Sequence, residues 1–286
     1  MKQRLIGAVG VMAVTTIMLV SGGWVMVTGL LALSIGGLYE LYHAMRSDPD
    51  KQSSSGSEND AFWTMFITGI LATVAWFVMI VFFRDGIMNQ NLMLMYLLGL
   101  MMVMMMETVF LFPRFTFLDT AVTLLGIFAI SMLFSTFYLI RTSQYGKFYV
   151  WYIFAVAWGS DVCAYFTGMS IGKHKLTPRL SPKKTIEGAV GGVVGSIVLC
   201  TILGVSMARV MLEDQGVMLR FSLVIGLVGG VFAELGDLFA SSIKRVMNMK
   251  DFGNLIPGHG GILDRFDSTL MVAPIVMLML NLFNMV

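Results

Sequence analysis

Runs of about 20 apolar residues recur along almost the whole chain, and a helix of that length is what a bilayer core of about 30 Å requires. They fall near 6–20, 24–43, 62–83, 91–112, 119–140, 148–168, 188–210, 221–240 and 268–285. Soluble domains carry about 25% charged residues; here only 13% are charged and 57% are hydrophobic, which excludes a soluble globular protein. The expected fold is all-α, a polytopic integral membrane protein of about nine transmembrane helices. Spans 1–5 make an N-terminal region, residues 1–147. Spans 6–9, with polar loops at 169–187 and 241–267, make a C-terminal region, residues 148–286. Only Ser21, Gly22 and Gly23 separate the first two spans. Lys2 and Arg4 before an apolar run imitate a signal peptide. A second span follows at once, without a cleavage site before a soluble domain, so a retained first helix is expected.

The cations are unevenly divided between the two sides that this span count defines. One side holds the N-terminus and the loops near 46–61, 113–118, 169–187 and 241–267, with 14 of the 19 Lys and Arg residues; the other side holds 5. By the positive-inside rule the N-terminus and the two richest polar loops are expected to face the cytoplasm. The polar stretch 46–60 contains no chemical motif and is expected to be a solvated connector. The methionine run around Met101–Met106 surrounds its helix, so it cannot converge on one ion, and packing explains it better. Gly188, Gly191, Gly192 and Gly195 suit close helix packing. Cys163 and Cys200 lie in apolar runs, where a thiol acts as a small hydrophobe rather than as part of a disulfide framework.

Charge concentrates instead at 241–267, SSIKRVMNMKDFGNLIPGHGGILDRFD, between two apolar segments. Fixed cations, carboxylates and flexible glycine backbone in one place suit a phosphate-rich ligand with a divalent metal. Glu234 and Asp237 are spaced i,i+3 and share a helix face that Ser241 and Lys244 extend. Asp264 and Asp267 repeat that spacing at the entry to span 9. Ionisable residues inside spans default to functional candidates. Asp161 leads directly into the basic loop, whereas Glu40 and Glu107 have no second motif beside them and are expected to be structural or interfacial. Salt bridges to Lys244, Arg245 or Arg265 are the plain alternative for any single carboxylate. In KHKLTPRLSPKKTIEG, Ser181 or Thr185 can cap a helix whose first turn holds Glu187. That helix start, preceded by Lys183 and Lys184, is a natural anion site. The PGHGG turn lets backbone N–H groups approach a ligand. His259 within it either hydrogen-bonds in the loop, binds phosphate or donates a proton.

Residues 241–267 resemble the phosphatidate cytidylyltransferase (CDP-diacylglycerol synthase) family. Ser241, Ile243, Lys244, Arg245, Lys250, Asp251, Gly253, Ile256, Pro257, His259, Gly260, Gly261, Ile262, Asp264, Arg265, Phe266 and Asp267 occupy every position of its pattern. Asp161, Ala164, Tyr165, Gly168, SPKKTIEG and Gly236-Asp237-Leu238 resemble it too, while Met169 stands where members often carry a basic residue. The resemblance covers roughly Trp151 to Ser268. It implies transfer of the cytidylyl group of CTP to phosphatidic acid, giving CDP-diacylglycerol and pyrophosphate in phospholipid biosynthesis. It also implies Mg²⁺, with a second cation allowed, membrane lipids as surroundings, a homodimer, no nucleic-acid partner, and a cell inner membrane location with the site facing the cytoplasm.

On that basis Asp237, Asp264 and Asp161 are expected metal ligands, with Asp267 beside them. Lys183, Lys184, Lys244, Arg245, Lys250 and Arg265 are expected to bind phosphates. Ser181, Thr185, Ser241, His259, Gly260 and Gly261 are expected to orient the substrates. Other CTP-using lipid enzymes, of polyprenol kinase or CDP-archaeol synthase type, are the nearest alternative. An anion transporter fits worse, because charges cluster in two same-side loops and no internal repeat is present.

Overall fold

The structure, a computed structural model, describes residues 2–46, 57–83, 88–211, 214–255 and 260–285. Its helices are α1 (Lys2–Ser21), α2 (Gly23–Arg46), α3 (Ser57–Phe82), α4 (Met88–Phe110), α5 (Phe117–Gly126), α6 (Leu133–Arg141), α7 (Gly146–Tyr149), α8 (Trp151–Ile171), α9 (Ile186–Met211), α10 (Gln215–Val246) and α11 (Leu263–Leu282). A π-helical stretch, Ile127–Met132, joins α5 to α6, so the expected fifth span is one helix with a wide turn inside it. A helix occupies every apolar run. Among the described residues six segments are long and apolar enough to cross a membrane: Gly23–Met45, Ala61–Phe82, Asn91–Phe110, Phe117–Arg141, Ile186–Met211 and Gln215–Val246. The full expected set is not matched on that criterion. Among the described residues α1 counts only as a shorter apolar helix, Val9–Ser21. Helix α8 is diluted by Trp, Tyr, Ser and Asp161, and α11 opens with Asp264, Arg265 and Asp267.

Two boundaries differ from expectation for a local reason. Helix α10 runs on past the apolar stretch to Val246, so Ser241, Lys244 and Arg245 are helical rather than in a loop. Helix α11 begins at Leu263, so Asp264 and Asp267 lie in its first turns. The all-α expectation also needs one amendment. The loop 169–187 contains a two-stranded antiparallel hairpin, β1 (Lys175–Thr177) and β2 (Ser181–Thr185), with Thr177 opposite Ser181 and Lys175 opposite Thr185.

Helices α8, α9, α10 and α11 form the tightest group, with α2 and α6 packed against α11. Lipid offers no hydrophobic drive between helices, so association rests on close approach and polar contacts. At Gly226 a Cβ would lie 2.5 Å from the Ile197 Cα of α9 and 3.0 Å from the Ser196 carbonyl, so only glycine permits this crossing. There Ser196 donates to the Gly226 carbonyl at 2.8 Å. The Tyr152 and Ser222 hydroxyls meet at 2.8 Å between α8 and α10. In the N-terminal helices Trp76 donates to the Ser135 hydroxyl at 2.9 Å, and Tyr42 donates to the Thr123 carbonyl at 3.1 Å. Val9, Trp63, Leu98, Phe110, Val194 and Leu227 are exposed, an apolar exterior that suits hydrocarbon.

Gly226→Ala is expected to force α9 and α10 apart at a cost of about 1–3 kcal/mol, the range for overpacking. Gly99→Ala, where a Cβ meets nothing within 4 Å, is expected to be harmless. Thermal unfolding of the two variants in detergent checks the contrast.

Candidate active site

The hairpin delivers Lys184 to a pair of carboxylates on α10. Glu234 and Asp237 share a face, as i,i+3 spacing dictates. The Lys184 ammonium lies 2.6 Å from Glu234 Oε2 and 2.7 Å from Asp237 Oδ2. Ser160 of α8 donates to Glu234 Oε1 at 3.2 Å. Ser241, one turn beyond Asp237, has its hydroxyl 3.5 Å from Asp237 Oδ1. Burial draws the Lys184 ammonium down, but Asp237 and Glu234 outweigh it and hold its pKa above the ordinary lysine value.

The root of the hairpin is fixed from both ends. Thr185 is the cap of α9: its hydroxyl accepts the Gly188 N–H at 3.1 Å, which settles the choice between Thr185 and Ser181. A Cβ at Gly188 would sit 3.0 Å from the Ala164 carbonyl, so glycine lets α8 and α9 close together here. Glu187 turns back to accept the N–H groups of Lys173 and His174, at 3.1 Å and 3.2 Å, and meets His174 Nδ1 at 2.6 Å. Beside the hairpin lies an open cavity of about 370 Å³ lined by Asp161, Lys183, Lys184, Thr185, Glu234 and Asp237, among others.

A second cluster stands where α10 ends and α11 begins. Lys244 pairs with Asp264 Oδ1 at 2.9 Å and lies 5.4 Å from the centre of the Phe252 ring. Asp264 Oδ2 accepts the Phe252 and Gly261 N–H groups at 2.8 Å and 2.9 Å. Gly260 has φ +85°, a conformation glycine adopts without strain. Glu40 of α2 accepts the Ile262 and Leu263 N–H groups at 2.8 Å and 3.0 Å. Arg245 donates to the Leu180 carbonyl at 3.1 Å, tying the end of α10 to the hairpin turn. Asp267 Oδ1 accepts the Ser268 N–H at 2.8 Å. The charges of Asp161, Asp237 and Asp267 are near enough to repel one another, and Arg265 acts on Asp161.

Lys183, Lys250 and Arg265 are exposed, and Ser181 is half-buried in β2. His259 and its neighbours 256–258 lie outside the described residues. Among the described residues no three His, Cys, Asp or Glu side chains form a ready metal cage. Mg²⁺ characteristically takes one or two carboxylates plus phosphate oxygens. Asp161 and Asp237, both lining the cavity, fit such an ion. Asp264 is committed to three donors, one of them cationic, and its side chain is 3% exposed.

Glu234 and Lys184 belong together in a way that spacing alone does not give. Glu187 and Glu40 were legible only as acidic residues near helix starts or inside a span; their partners are backbone N–H groups, which carry no mark in the sequence.

Residues 2–283 match the Cytidylyltransferase family, so the likeness extends through the N-terminal helices and well beyond the motif-bearing half. The phosphatidate cytidylyltransferase of Bacillus subtilis is 39% identical over 204 residues, 71% of this chain and 72% of that protein. Those of Staphylococcus haemolyticus and Staphylococcus epidermidis are 34% and 35% identical over 214 residues, 75% of this chain and 79% of each relative. With the family match running almost end to end and relatives at 34–39% identity over more than two thirds of their length, the chain belongs to the cytidylyltransferase family.

Proposed function

We propose that this protein transfers the cytidylyl group of CTP to phosphatidic acid, forming CDP-diacylglycerol and releasing pyrophosphate. The observation that carries the proposal is the cavity in which Lys184 bridges Glu234 and Asp237 beside Asp161. A phosphate oxygen of phosphatidic acid forms a bond to the α-phosphorus of CTP. The bond from that phosphorus to the bridging oxygen of the β-phosphate breaks, and its electron pair leaves with pyrophosphate. A phosphomonoester has its second pKa near 6, so the nucleophile is already a dianion at neutral pH and needs no general base. What remains is to bring two polyanions together and stabilise the leaving group.

Lys183 and Lys184 enter from the hairpin, Lys244 and Arg245 from the end of α10, and Lys250 and Arg265 from the loop and α11. In this proposal they bind the phosphates. Thr185 and Ser241, with Ser181 and the Gly260–Gly261 backbone, orient them. Mg²⁺, when bound, neutralises charge on the phosphate oxygens. Asp237 and Asp161 would hold it, and Asp264 would join them only by giving up Lys244. A second cation has the same carboxylates to draw on. Lys184 stands where an incoming phosphate would sit, so the ion pair in the substrate-free protein keeps three carboxylates from facing one another uncompensated.

The finer topology belongs to the same proposal. Nine spans with the N-terminus in the cytoplasm put 14 of 19 cations on the cytoplasmic side. The site then meets CTP at the inner face of the cell membrane while the acyl chains of phosphatidic acid stay in the bilayer. Residues 148–286 form the catalytic region and 1–147 the supporting helices, and the protein acts as a homodimer.

Purified protein with labelled CTP, Mg²⁺ and phosphatidic acid is expected to give a CDP-lipid and pyrophosphate. Release of CDP with a phosphorylated lipid would identify a kinase instead. Asp237→Asn is expected to lower kcat by about 10²–10³, the scale on which removal of a transition-state electrostatic contact acts. Turnover near the parent rate would remove Asp237 from the site. The Lys184 pairs also predict a pH dependence. A lysine whose folded pKa lies above its unfolded value of about 10.4 stabilises fully below that value and loses its contribution as pH rises through the folded one. The stability advantage of the parent over Lys184→Met should therefore be flat up to about pH 10 and shrink above it. Thermal unfolding across pH 7–11.5 checks this.

A further inference from the structure

Glu40 is a carboxylate in the second apolar helix, 2% exposed, and the phosphate chemistry does not use it. It lies more than 200 positions from the α11 start, yet both its oxygens are spent there. Oε1 accepts the Ile262 N–H at 2.8 Å and Oε2 the Leu263 N–H at 3.0 Å. Ile262, at the cap position of α11, makes no side-chain cap hydrogen bond. Helix starts expose N–H groups and partial positive charge, which a carboxylate satisfies. Glu40 is thus a cap supplied from a remote helix.

Two further contacts show that α2 is shaped for this docking. A Cβ on Gly36 would strike the Ile262 side chain, and one on Gly37 would lie 3.1 Å from Leu263 Cδ2. Gly36, Gly37 and Glu40 share one face of α2 by helical spacing. On the other side of the carboxylate, a Cβ on Gly261 would collide with it and one on Gly253 would lie 2.9 Å from Oε1. The Glu40 carboxylate is therefore gripped between Gly253 and Gly261. Next to them stand Gly260 and, in the first turns of α11, Asp264, Arg265 and Asp267.

We propose that Glu40 is a positioning residue for the reaction: it sets the register of Gly253, Gly261 and the first turns of α11, and so the placement of Asp264, Arg265 and Asp267. The inference rests on the assignment of those residues to the site. It makes the N-terminal helices part of the active-site scaffold rather than an anchor alone.

The test is steady-state kinetics of the full chain in lipid nanodiscs with CTP and phosphatidic acid. Misplacement of catalytic groups by about 1 Å can cost about 100-fold, so Glu40→Ala is expected to lose kcat on that scale with KM for CTP little changed. Glu40→Gln keeps one acceptor oxygen and should fall between Glu40→Ala and the parent. Gly253→Ala pushes on the same carboxylate, so its loss should largely vanish in the Glu40→Ala background. A Glu40→Ala kcat within about twofold of the parent, or a Gly253→Ala loss that multiplies in full in the double variant, overturns the proposal. If Glu40→Ala does not fold, Gly253→Ala and Glu40→Gln decide through the same kcat-against-KM split: a fall in kcat alone supports the proposal, and parent-like kcat overturns it. Asp264→Asn in the same preparation separates the two levels. If it loses turnover while the Glu40 variants do not, only this inference falls. If it stays active, the site assignment falls and takes the inference with it.

Discussion

A carboxylate taken out of water beside a bilayer is costly unless a cation or hydrogen-bond donors meet it, and Lys184 meets two at once, 2.6 and 2.7 Å away. The rest of the site depends on that contact. It fixes the hairpin to α10 and offsets the charge of Glu234 and Asp237, which share a helix face beside an open cavity. It also leaves a cavity whose carboxylates, Asp161, Glu234 and Asp237, are partly offset by Lys183 and Lys184 before any substrate arrives. Breaking such a pair by removing one partner leaves an uncompensated charge, which is why buried pairs are held so firmly. In the proposed reaction a polyphosphate carrying a metal ion would replace both halves of the pair together, its phosphates answering the lysine and its cation the carboxylates.

The second cluster follows the same rule with different means. Asp264 and Glu40 are satisfied mainly by backbone N–H groups from the 252–263 segment, and only Asp264 also has a cation. One carboxylate folds the loop onto its own helix; the other nails the start of that helix to α2. Arg245 completes the frame by holding the hairpin turn through the Leu180 carbonyl. Two segments nearly 80 positions apart, 181–185 and 260–267, are thereby kept in one place although each is short and rich in glycine or charge.

Much of this was legible in the sequence because membrane chains leave few options. Apolar runs near 20 residues gave helices at the expected places, and i,i+3 spacing put Glu234 and Asp237 on one face. Thr185 capped α9 as one of two candidates. Three things were hidden. The hairpin β1–β2 is too short for alternation to show, and its pairing is stabilised by Glu187 reaching back to backbone. The helical state of Ser241–Arg245 and Asp264–Asp267 was masked because the apolar pattern ends before the helices do. The role of Glu40 depends on backbone donors from residues 262 and 263, a match between a side chain and chemically uniform groups that no spacing rule can signal. Asp264, grouped by pattern with the metal-binding carboxylates, is engaged with Lys244 and two N–H groups.

In the proposed reaction the nucleotide's phosphates enter the cavity between α8, the hairpin and α10 and displace the Lys184 ion pair. A structure of the protein with Mg²⁺ and a non-reacting CTP analogue tests it most directly. The account predicts the phosphates in that cavity, Lys184 turned from Glu234 and Asp237 onto phosphate oxygen, and the ion on Asp237. A nucleotide bound elsewhere with the Lys184 pair intact would contradict it.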